Sequence, residues 1–181
     1  MIRKEKLIFW GAALAVAAIV AYAFFSLNLV KGGRSVISSV ELKDMDPANA
    51  GINIEVTRPW IGSGKELSFN VGEPDEERDF NRIDLSRCLF QCAQALSERD
   101  FSRIYLCNKG SRLYYIPAED FKRLGRDYRI DDSMNTLALY TRLPQITRTL
   151  NDSIAFPAND GVLGSVSDLS DWNTMMSNLL R

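Results

Sequence analysis

The chain has 181 residues, 46% of them hydrophobic, with 22 basic against 23 acidic side chains and no histidine. That hydrophobic content excludes a disordered polymer. The missing histidine excludes Ser-His-Asp and Cys-His catalysis, and zinc sites built from cysteine and histidine. A net charge of −1 with no basic stripe argues against a nucleic-acid partner.

Residues 7–30, LIFWGAALAVAAIVAYAFFSLNLV, contain no charge and follow Arg3, Lys4 and Lys6. About 20 apolar residues suffice for a helix to cross the hydrocarbon layer of a membrane. A small-x-small site at Ala21-Tyr22-Ala23 would suit signal cleavage. Residues 24–30 continue the apolar run, however, so a retained span is the expectation. Basic residues ahead of the run place the N-terminus in the cytoplasm by the positive-inside rule. The expected organisation is a cytoplasmic end at 1–6, a signal-anchor helix at 7–30, a linker at 31–34 and an extracytoplasmic domain at 35–181. Gly11 with Ala15, and Ala13 with Ala17 and Ala21, have the spacing for close helix approach, a route to homo-oligomers through the span. In an alanine-rich segment such matches also arise by chance. Lys31 and Arg34 could touch lipid headgroups, although plain flanking charge is the simpler reading.

Beyond the linker the hydrophobic period becomes that of strands. In RSVISSVELKD (34–44), Val36, Val40 and Leu42 share one face. In GINIEVTRPW, Ile52, Ile54 and Val56 alternate with Asn53, Glu55 and Thr57. In KELSFNVG, Leu67, Phe69 and Val71 alternate with Ser68 and Asn70. Pro59, Gly62 and Gly64 between the last two runs read as turn residues, giving an antiparallel pair. A helix is expected from Pro74, with Leu85, Leu89, Cys92 and Leu96 as its apolar stripe. RIYLCNKGSRLYYI reads as a hairpin turning at Lys109-Gly110. That register sets Leu106 opposite Leu113, Ile104 opposite Tyr115, Tyr105 opposite Tyr114 and Cys107 opposite Arg112. A short helix over 118–124 follows, then an irregular stretch through 126–164. A last helix over 168–180 carries Leu169, Trp172, Met176 and Leu179 along one side. The expected fold class is α+β: an antiparallel sheet of about five strands with helices packed on one face, preceded by one N-terminal transmembrane helix.

The uncovered sheet face is the candidate functional surface, a partner-binding patch of Glu55, Asn70, Tyr105, Arg112 and Tyr114. The opposing expectation is that the irregular 126–164 segment packs over this face and buries its tyrosines. No catalytic, cofactor-binding or metal-binding set emerges. IGSGKE lacks both the first glycine and the Ser/Thr of a phosphate loop, since Pro59 and Glu66 stand there. DMDPANAG puts Ala48 at the third ligand position of an EF-hand loop and Asn49 at its glycine. Cys88 and Cys92 sit four apart on one helix and Cys107 lies on the other side of the sheet, so three unpaired thiols are expected.

YTRLP (140–144), AFP (155–157), GVLG (161–164) and DLSDWN (168–173) together resemble the C-terminal third of an uncharacterised, membrane-anchored bacterial protein family. The resemblance implies a bacterial source and carries no activity or site residue. The functional expectation is an inner-membrane, single-pass protein whose periplasmic domain binds another protein as an accessory subunit of an envelope assembly. Competing expectations are an immunity protein against a periplasmic toxin, a histidine-independent enzyme built on Ser-Lys or carboxylates, and a small-ligand sensor.

Overall fold

The computed structural model describes residues 33–59, 64–73, 81–128, 133–157 and 164–181. The apolar run at 7–30 and the helix start expected at Pro74 lie outside them. Among the described residues no helix is long and apolar enough to cross a membrane.

Five strands form one sheet in the order of the chain: β1 (Gly33–Ile37), β2 (Ile54–Pro59), β3 (Glu66–Val71), β4 (Arg103–Asn108) and β5 (Ser111–Pro117). The sheet is mixed. Three neighbouring pairs are antiparallel, but β3 and β4 run parallel. This corrects the all-antiparallel expectation, and the cause is the helix α2 (Arg82–Ala95) between those strands. A helix carries the chain back along the sheet, so the strand after it runs parallel to the one before.

Two segments differ from the sequence reading. Only the first part of 34–44 is a strand, because α1 (Ser39–Met45) begins at a capping box. Ser38 accepts the Glu41 amide at 3.2 Å, and the Glu41 carboxylate accepts the Ser38 amide at 2.6 Å. That bond draws the Glu41 carboxyl below its usual range. The helical turn buries Leu42 and leaves Val40 65% exposed, where an extended chain would have put both on one face. Second, the expected irregular stretch contains α4 (Ser133–Ile146), with Pro144 inside its last turn. The remaining helices are α3 (Ala118–Asp127) and α5 (Gly164–Leu180).

One core lies between sheet and helices. Ile54, Val56, Leu67, Phe69, Ile104, Leu106 and Ile116 supply the sheet side, and α2 adds Leu85, Leu89, Cys92 and Leu96, the stripe read from the sequence. Leu42, Phe121, Leu139, Leu143 and Met176 bring in the other four helices. Trp172 of α5 stacks on Tyr140 of α4 at 4.7 Å and donates to Ser86 of α2 at 3.0 Å. Behind α1, Asn49 donates to Gln91 at 2.6 Å, and Arg87 reaches the Ala48 carbonyl at 2.8 Å and Asp84 at 2.9 Å. These polar bonds fasten residues 46–49 to α2, satisfying groups that burial would otherwise strand.

Candidate functional site

The site is the sheet face turned away from the core, and its composition follows from strand alternation. Cross-strand register lays residues out in rows. One row runs Glu55, Asn70, Cys107, Arg112 across β2 to β5. The next runs Ser35, Thr57, Ser68, Tyr105, Tyr115, and Glu66 with Arg103 begins a third. The sequence reading therefore brings Glu55, Asn70, Tyr105 and Arg112 onto one surface.

Tyr114 is not on it. The register shifts between Leu106 and Cys107, so Leu106 pairs with Tyr114, Tyr105 with Tyr115 and Ile104 with Ile116. The Lys109-Gly110 turn is where the sequence placed it, both residues having positive φ (48° and 81°). The extra residue beyond it, Leu113, is a β-bulge, and a bulge moves every later side chain to the opposite face. Tyr114 thus faces the helices, where Asn178 donates to its hydroxyl at 2.8 Å and Phe156 packs on its ring. Tyr115 takes the open-face place assigned to Tyr114. Counting back from Pro117, with Ile116 inward, would have given the observed register; counting from the turn did not.

On the β4–β5 side the face is tall and cationic-aromatic. The Arg112 guanidinium lies 3.8 Å from the centre of the Tyr105 ring, and that of Arg103 lies 4.8 Å from the Tyr115 ring. The rings meet edge-on at 6.0 Å. Glu66 stands between the two arginines, 3.9 Å from each, and accepts the Tyr105 hydroxyl at 3.3 Å. Tyr115 donates its hydroxyl to Asp152, a bond that together with burial pushes the phenol pKa up. Among the described residues of 126–164, those around Asp152 reach this face. There Arg148 exchanges backbone hydrogen bonds with Tyr115 at 3.0 and 2.8 Å, capping the β5 edge. The segment borders the face rather than covering it. Together with the two arginines it nevertheless leaves Tyr105 and Tyr115 buried, each 8% exposed, as the opposing expectation held for the tyrosines. Leu150 and Ile154 stand half exposed beside them.

Towards β1 the face drops into a groove of about 270 Å³ lined by Gly33, Thr57, Ser68, Asn70 and Cys107, with Glu55, Lys109 and Arg112 among its walls. The step is a matter of side-chain size, since short residues stand in line with the tyrosines and arginines. Asn70 is held by the Gly110 amide at 2.7 Å. Burial pushes the Cys107 thiol up to about 11, against smaller downward pulls from Arg112 and Ser68. None of the three cysteines forms a disulfide, and Cys88 and Cys92 are core residues.

No known protein family, curated protein or solved structure matches the chain.

The geometry alone therefore says what the face can do. Cys107 keeps its proton at neutral pH, so it is a poor nucleophile. Among the described residues no cluster of three cysteine or acidic side chains could hold a metal ion. Sequence reasoning missed Tyr115, Arg103, Glu66 and Asp152. Alternation already put Glu66 with Ser68 and Asn70, and Arg103 with Tyr105. Tyr115 depended on the bulge at Leu113, and Asp152 on tertiary structure.

Proposed function

We propose that the chain is a membrane-anchored, extracytoplasmic protein-binding module, an accessory subunit of a bacterial envelope assembly, that presents the open sheet face to its partner. The observation that supports this is the pair of arginines set over two tyrosines and tied by Glu66. Ordering a long side chain on binding costs about 0.5–1.5 kcal/mol. Arginines already held against rings avoid much of that loss, and Tyr and Arg are the residue types that concentrate binding energy at interfaces. The groove beside them admits one partner side chain. A small-ligand sensor would use a larger, mainly apolar cavity, whereas this groove is floored by Thr57, Ser68 and Asn70. Anchoring through residues 7–30, with the domain outside the cytoplasm, rests on the length of the run and the basic residues before it.

A photo-cross-linking residue placed at Thr57 or Ser68 in living cells tests the reading, with Glu119, exposed at the start of α3, as control. A discrete, identifiable adduct from the sheet positions and none from Glu119 is the expected result. No adduct from either sheet position would overturn it.

A further inference from the structure

At the edge of the sheet, on the side that carries the helices, two arginines stand directly opposite each other. Arg34 of β1 pairs in register with Arg58 of β2. Such cross-strand neighbours have Cβ atoms about 5 Å apart, and like charges there destabilise the pair. Among the described residues neither arginine has a carboxylate partner. The nearby Asp100 carboxylate serves Lys65 at 3.6 Å, and Arg58 donates to the Asp100 carbonyl, at 3.3 Å. The Arg58 Nε is buried with no hydrogen-bond acceptor, which is rare for a guanidinium N–H. Two cations without a carboxylate partner among the described residues, one of them with an unmet donor, make a place suited to an anion.

Its position says which anion. Arg34 follows Gly33, and Gly33 follows the last apolar residue, Val30, by three peptide steps. Three steps reach no more than about 11 Å. We infer that Arg34 and Arg58 clamp the phosphodiester of an anionic membrane lipid, docking this edge of the sheet on the bilayer surface. The inference rests on the reading of residues 7–30 as a membrane anchor. A guanidinium fork matches phosphate oxygens through two parallel N–H bonds, and a phosphate between the arginines turns their repulsion into attraction. Plain flanking charge, the simpler reading of Arg34 from sequence, leaves the opposed Arg58 unexplained.

The full chain in non-ionic detergent, supplied with phosphatidylglycerol or phosphatidylcholine and examined by native mass spectrometry, tests this. Wild type is expected to retain phosphatidylglycerol preferentially, and Arg34→Gln to weaken that retention about fivefold, the effect of one cation against an anionic headgroup. Arg34 is exposed, so its replacement leaves folding intact. Arg123→Gln on α3 makes the same charge change elsewhere and should retain lipid as wild type does. In detergent without added lipid, Arg34→Gln should raise the unfolding temperature by about 2 °C, because the repulsion is relieved with no anion lost. Equal retention by Arg34→Gln and wild type, or equal loss by Arg123→Gln, would overturn the clamp. Inorganic phosphate that stabilises lipid-free protein as much as phosphatidylglycerol does would overturn the lipid assignment in favour of a soluble anion. The same spectra give the intact mass, and a chain lacking the apolar run would sink the anchor reading separately.

Discussion

Arg112 and Tyr114 are two positions apart and belong to different problems. Arg112 is about one-third exposed, stacked on Tyr105 and 3.9 Å from Glu66, so its loss removes a surface cation–π contact and a weak ion pair. Together these are worth about 1 kcal/mol of stability at most. Arg112→Ala should therefore leave the urea midpoint nearly unchanged and abolish the cross-link from Ser68. Tyr114→Ala removes a ring packed on the core and on Phe156, and leaves Asn178 without its acceptor. It should lower stability by about 3 kcal/mol, measured by urea unfolding. Any change in its cross-linking should then track the unfolded fraction. Loss of the adduct from folded Tyr114→Ala protein would mean that the open face had been drawn in the wrong place.

Helix boundaries show where local chemistry overrides pattern. Val36, Val40 and Leu42 read as a strand face, yet Ser38 and Glu41, three apart, form a reciprocal cap that turns the chain into α1. Ser38→Ala should cost about 1 kcal/mol, read as a lower unfolding midpoint with the sheet intact. A larger effect comes from Gly125 on α3. A Cβ there would stand 2.1 Å from the Ala93 carbonyl oxygen of α2, backbone against backbone. Gly125→Ala must push the two helices apart, and overpacking of this kind costs about 1–3 kcal/mol. A stability equal to wild type would show that the α2–α3 contact is looser than described. The strands were legible in the sequence because each one-sided alternation of Ile54-Val56 or Leu67-Phe69-Val71 can satisfy a core on only one face. The bulge at Leu113 was not, since one extra residue changes no composition. Nor was α4, whose Pro144 reads as a breaker although Pro near the end of a helix leaves the earlier turns whole. The parallel β3–β4 pair could have been read from the helix between them.

At the scale of the whole molecule, the groups with raised pKa values all act in one direction. Burial raises Cys92 well above its ordinary value and Cys107 to about 11. It also raises Tyr128 and Tyr140, and Tyr115 rises chiefly through its bond to Asp152. Each holds its proton to higher pH when folded than when unfolded. Ordinary thiols are half ionised at pH 9.0, so around and above that pH the unfolded chain releases protons that the folded chain keeps. Stability is then full well below pH 9 and falls as pH rises, steeply to about pH 11. Cys107 alone accounts for a loss on the order of 2–3 kcal/mol over that window. The urea midpoint should be flat from pH 7 to 8.5 and drop towards pH 11, with Cys107→Ala showing a shallower drop from a slightly lower starting point. An identical slope in that variant would mean that Cys107 is solvated. The floor of the groove would then be open to water, and a partner side chain entering it would displace solvent rather than fill a dry niche.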